Sequence, residues 1–138
     1  MKYAVLIGRI LYSFIFIMAA PGHFSQQEIS FAAAAHVPFA SIAVPFSGIL
    51  ALVGGLSIAL GYKAKWGSWI LVVFLIPVTF MMHNFWVVPD KMMAQMQMAM
   101  FIKNIALLGS ALLISYFGAG PLSLDSRAGN YSPAFENK

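Results

Sequence analysis

The chain has 138 residues, of which 61% are apolar and only 9% charged, with a mean hydropathy of +0.84. Soluble domains average about 45–50% apolar and about 25% charged residues, and four acids with eight Lys/Arg cannot cover a water-facing surface. Composition therefore excludes an ordinary soluble domain. A charge of +4 with a pI near 9.6 does not indicate nucleic acid, because the basic residues are scattered singly and form no patch. With no cysteine the chain cannot itself perform thiol–disulfide chemistry or build a thiolate metal site.

Four predominantly apolar runs, at about residues 3–20, 44–60, 66–82 and 98–117, are each long enough as a helix to match a hydrocarbon core of about 30 Å. They are apolar all round, unlike the alternating strands of a membrane barrel. The predicted fold is an all-α integral membrane protein, a four-helix bundle over residues 1–125, followed by a loosely ordered cytoplasmic tail at 126–138. The first run has a superficial likeness to a signal peptide. It is longer than a signal core, contains Arg9, and would place Pro21 directly after the cut, so a first membrane span is the expectation.

Lys2, Lys63, Lys65, Arg127 and Lys138 collect on one side if the N-terminus is cytoplasmic, with Lys91 in the opposite loops, which predicts both termini inside. Segments 21–45 and 83–97 then lie on the outer side. The small residues Gly48, Gly54, Gly55 and Ser57, and Gly109 and Ser110 in the fourth run, permit close helix approach. Pro77 is expected to kink the third span, with Thr79 among the groups that satisfy the freed carbonyl. Asp90 offers an N-cap from which KMMAQMQMAM extends the fourth helix beyond the membrane. The methionines there read as interfacial packing that could line an apolar pocket.

The costly residues are the cations inside the spans. Arg9 and Lys103 would each cost on the order of 2.5–3.5 kcal/mol at a bilayer centre. They sit near opposite interfaces, roughly 14 Å apart in depth, so they do not share one site. Both can snorkel to headgroups. Lys103 also has Asn104 beside it, and the outer ends of other spans bring His23, His83, Asn84 and Trp86 to about the same depth. A polar ring of these groups suits a small anion or the carbonyls of a quinone. A metal is disfavoured because His23 and His36 share no helical register and the outer acids are only Glu28 and Asp90. Haem ligation by His83 with His23 has no specific support. No nucleophile, acid pair or phosphate loop argues for catalysis by this chain alone.

GRILYSFIFIMAAPGHF, SGILALVGGLSIALGYKAKWGSWIL, HNFW and FIKNIALLGSALLISYFGAGPLSLD resemble, in order and spacing, the DoxX family of bacterial membrane proteins. Arg9, His83, Phe85, Trp86, Lys103, Asn104, Gly118 and Asp125 fall on the family-like motifs, whereas His23 stands where relatives often carry Lys. The resemblance implies a multi-pass protein of the bacterial cytoplasmic (inner) membrane. It also implies association with a quinone-linked redox or stress-response system. The expectation is a membrane subunit that is not catalytic alone. It would bind a quinone or small anion through His83, Asn84, Trp86, Lys103, Asn104 and His23, with Arg9 as a further ligand contact. Its partners would be the bilayer and a redox protein or a second copy, and not nucleic acid. The alternative is a lipid-binding, transport or scaffold membrane protein with no redox role.

Overall fold

The computed structural model describes residues 1–129 and is entirely helical over that range, apart from turns and connections. Its helices are α1 (Lys2–Ala19), α2 (Gln26–Ala34), α3 (Ala40–Leu60), α4 (Ala64–Met82), α5 (Lys91–Phe117) and α6 (Leu124–Arg127). Short 3₁₀ turns at Ala20–Phe24 and Phe85–Val87 follow α1 and α4. Four helical segments are long and apolar enough to cross a membrane: Lys2–Phe24, Ala40–Leu60, Ala64–Val87 and Lys91–Phe117. The chain is a multi-pass membrane protein embedded in a lipid bilayer. Many large apolar side chains point outward, Leu11, Ile42, Val73 and Leu113 among them, which in lipid costs nothing.

α3 is central: it packs on α1, α2 and α4, while α5 packs on the other side of α4. Phe16, Ala51, Ile58, Leu71, Phe74 and Leu75 form the buried centre. Between α3 and α4 the approach depends on missing side chains. A Cβ on Gly54 would come within 2.6 Å of Leu71 and 3.0 Å of the Gly67 carbonyl, and one on Gly67 would collide with the Ser57 hydroxyl. Without a hydrophobic drive between helices in lipid, such close backbone contact supplies the dispersion energy that holds them together. Gly109 is different, since a Cβ there would meet nothing within 4 Å. Of the small residues expected to make contacts, those of α3 do and Gly109 does not.

Local expectations meet mixed outcomes, the Asp90 cap and the extended fourth span as expected and others not. α3 begins at Ala40, with Pro45 inside it, and α5 runs unbroken from its Asp90 cap, whose carboxylate accepts from the Met93 N–H at 2.8 Å. Thr79 donates to the Leu75 carbonyl at 2.6 Å, its own i−4 partner, and so does not serve the carbonyl that Pro77 leaves free. Residues 26–34 form α2, capped by Ser25, whose hydroxyl accepts from the Glu28 N–H. Leu124–Arg127 is a helical turn closed by a Ser123–Ser126 capping box; the rest of the expected tail, 130–138, lies outside the described residues.

Four spans bring the N-terminus of α1, the α3–α4 turn and the C-terminus of α5 to one end, the terminal face. The 3₁₀ turn after α1, α2 and the α4–α5 connection form the opposite face.

Candidate functional site

At the terminal face the in-span cation is built into the fold. Arg9 is 6% exposed. Its Nη1 donates to the Ala119 carbonyl at 2.7 Å, Nη2 to Leu122 at 3.1 Å and Nε to Ala59 at 3.3 Å. The guanidinium thus ties α1 to the end of α3 and to the segment that follows α5, taking up carbonyls that helix termini leave unpaired. Asp125 completes the arrangement, its two carboxylate oxygens accepting from the Lys63 and Ala64 N–H groups at 2.8 and 3.0 Å, which caps α4. Gly61, at φ +65°, sits where a Cβ would collide with Ser123 and approach Arg9 Nη1 to 2.9 Å. Between α1 and α5 a gap of about 260 Å³ opens beside Arg9 and Tyr12, bridged where the Tyr12 hydroxyl donates to the Leu107 carbonyl at 3.1 Å.

The opposite face holds the larger feature, a cavity of about 740 Å³ bounded by α2, α3, α4 and the 3₁₀ turn after α1. That volume lies within the range of about 300–1,000 Å³ typical of ligand sites. Its walls are apolar, with Phe31, Val44, Leu50, Phe74 and Met81 among them, and its polar groups are His23, Gln27, Glu28, Ser47 and His83. Val73, 61% exposed, and the exposed Phe46 stand at its edge, so it opens toward the bilayer.

Both histidines are oriented by internal partners. Ser47 donates its one hydroxyl proton to the Val44 carbonyl at 2.6 Å. The 2.8 Å contact between Ser47 Oγ and His23 Nδ1 therefore requires the imidazole to donate. The His23 ring also packs on Phe74, centroids 5.7 Å apart. His83 Nδ1 donates to Gln97 Oε1 at 2.7 Å. In each neutral ring Nε2 is left as an acceptor.

Of the residues expected to form one polar ring, the structure brings His23 and His83 together in the cavity lining and leaves the others elsewhere. Trp86 belongs to an aromatic cluster with Phe85 and Phe101, 5.3 and 5.8 Å away by ring centroids, on the α4–α5 side. Asn84 immediately precedes the 3₁₀ turn that carries Trp86, without a capping hydrogen bond from its side chain. Asn104 is 5% exposed, on the α5 face that it shares with the buried Ala111. Lys103 is exposed, its ammonium 3.4 Å from Met100 Sδ, and Arg9 sits at the terminal face. Glu28, Gln27 and Ser47 had not been expected to line a site. Ser25-x-x-Glu28 is the sequence signature of a helix start, and reading it would have placed a carboxylate beside His23. Among the described residues no three His, Asp or Glu side chains gather in a way that could hold a metal ion.

Comparison with known proteins corrects the family expectation. The model of the SURF4 family matches residues 1–131. The ER-derived vesicles protein ERV29 of Saccharomyces cerevisiae is 29% identical over 82 residues, a match that covers 59% of this chain and 26% of the yeast protein. The chain thus spans about a quarter of that relative's length. No solved structure matches. The DoxX assignment is overturned by these matches. The same matches overturn the quinone-binding redox subunit, the redox partner and the bacterial inner membrane. The four segments that had suggested DoxX, from GRILYSFIFIMAAPGHF to FIKNIALLGSALLISYFGAGPLSLD, lie within the stretch that the SURF4 model matches. The match takes in every described residue, and the chain belongs to the SURF4 family.

Proposed function

We propose that the chain works without redox chemistry, as a transport or scaffold protein of the membrane that holds an apolar ligand in the cavity between α2, α3 and α4. The observation that carries this reading is the cavity itself, about 740 Å³ with apolar walls, a few polar groups and an edge open to lipid. Its likeness to a protein named for ER-derived vesicles agrees with a carrier or organiser of membrane components. His23, His83 and Glu28 are the polar contacts of the site, and Phe74 and Val44 are part of its wall. Native mass spectrometry of the full chain released from nanodiscs tests the reading. A retained lipid-like ligand should disappear in Val73→Trp, which fills the cavity from an exposed position. Equal retention by the variant would remove the cavity from the function.

We also place the terminal face on the cytosolic side, because Lys2, Lys63, Lys65 and Arg127 lie there while the loops of the opposite face carry Lys91. The cavity then faces away from the cytosol. The chain has no cysteine, so a single cysteine introduced at Gln27 reports cleanly. It should be shielded from an impermeant thiol reagent applied to the cytosolic side and labelled from the other, and the reverse pattern would invert the topology.

A further inference from the structure

The polar lining of the cavity is one-sided in its chemistry, and this deepens the reading just given, on which it rests. His23 commits Nδ1–H to Ser47, whose own proton goes to the Val44 carbonyl. His83 commits Nδ1–H to Gln97. Each neutral ring therefore has a lone pair on Nε2 as its remaining polar function. Glu28 contributes an acceptor-only carboxylate, and the Gln27 amide is the one lining side chain whose donor groups are uncommitted. Among the described residues no Lys or Arg lines the cavity; Lys103 is on the outer surface of α5 and Arg9 is at the terminal face. An anionic head placed there would meet acceptors and a like charge. A head that donates hydrogen bonds and carries positive charge would meet partners for its protons.

The apolar part sets the rest of the ligand. The cavity follows α4 from His83 to Val73, ten residues or roughly 15 Å of helix, past Phe74, Pro77, Val78 and Met81. This is an elongated apolar groove with His83 at one extremity and His23 beside Phe74, nine residues away along α4, and its edge at Val73 and Phe46 is open to the hydrocarbon region. A chain molecule can enter sideways from the bilayer.

We infer that the cavity selects a single-chain amphiphile with a primary ammonium head, held by Glu28 and the Nε2 atom of His23, and discriminates against a carboxylate head on the same chain. Full-length protein in nanodiscs is titrated with radiolabelled dodecylamine, dodecanol and laurate, and Val73→Trp nanodiscs serve as the blank for partition into lipid. The expected result is a saturable, Val73→Trp-sensitive component for dodecylamine, at least tenfold weaker for laurate. Glu28→Gln, at an exposed position, should weaken dodecylamine at least fivefold and leave dodecanol unchanged. Laurate binding as tightly as dodecylamine, or dodecylamine indifferent to Glu28→Gln, overturns the head-group selectivity while the cavity remains a ligand site. If none of the three probes shows a component sensitive to Val73→Trp, the ligand site and its selectivity are both overturned.

Discussion

At the terminal face the donors of Arg9 are taken up by the carbonyls of Ala59, Ala119 and Leu122, and both oxygens of Asp125 by the start of α4. At the opposite face His23 and His83 each use one ring nitrogen on a neighbour and keep the other beside a cavity of about 740 Å³. Both ends hold polar groups that a bilayer penalises. One end satisfies them from within the chain, so they fasten helices. The other leaves part of their capacity open, next to space, which is the arrangement a ligand can complete. Polar residues in a membrane span therefore divide by whether their hydrogen bonds are already closed, and residue type alone does not sort them.

The comparison breaks most visibly at Arg9. Arg9→Leu leaves three carbonyls without their donor, and unpaired buried polar groups cost about 1–3 kcal/mol each. Allowing for the desolvation that the cation no longer suffers, we expect a loss of about 3 kcal/mol, read as a lowered thermal midpoint in detergent. Arg9→Lys should recover little, since one ammonium on a flexible stem cannot reproduce a planar fork reaching three acceptors. A midpoint unchanged by either substitution would mean that the fastening is dispensable, and the contrast between the faces would lose its ground.

The next effect separates two glycines. Gly54→Leu should destabilise by about 1–3 kcal/mol, because added atoms force Leu71 and the Gly67 backbone apart. Gly109→Ala should be neutral or stabilise by up to about 1 kcal/mol, since its Cβ meets open space and glycine is a poor helix former. Similar losses at both positions would show that α5 is packed at Gly109 by something the chain itself does not provide. A smaller change is expected from Asp125→Ala, about 1 kcal/mol for a lost helix cap, with ligand retention in the cavity unaltered. Loss of ligand together with the cap would show that the two ends are coupled.

The spans were legible because apolar runs of membrane length leave few alternatives, and so was the Asp90 cap, whose residue type and position before an apolar run are local signals. The role of Arg9 was also open to reading. Arg9, Ser13 and Phe16 are the buried residues of α1 and recur at i, i+4 and i+7, so a guanidinium in that stripe faces helices and not lipid. What could not be read was the partner: Ala119 and Leu122 lie more than a hundred residues along the chain, and backbone carbonyls leave no trace in residue type. The arrangement of the polar ring could not be read for a related reason. His83, Trp86 and Lys103 do lie at similar depth, but depth fixes only one coordinate. The direction in which each residue points around its helix separates the exposed Lys103 from the buried Asn104 next to it. α2 was missed because its nine residues are too few and too weakly apolar to register beside four spans.

The smallest effect is the one that most sharpens the assignment of the ligand site, and it is expected at Lys103. Its ammonium is exposed, its nearest partner is the Met100 sulfur, and it borders neither cavity. A long cationic side chain in that position keeps its charge at the interface while its stem lies along apolar surface. Lys103→Ala should leave the thermal midpoint within measurement error and leave retention of the cavity ligand unchanged. Asn104 beside it is buried against the bundle, and Asn104→Leu should move the midpoint while Lys103→Ala does not. If Lys103→Ala instead released the ligand, a cation outside the acceptor-lined cavity would have to be part of binding. The site would then extend across α5, and the division between a closed terminal face and an open opposite face would no longer describe where the ligand is held.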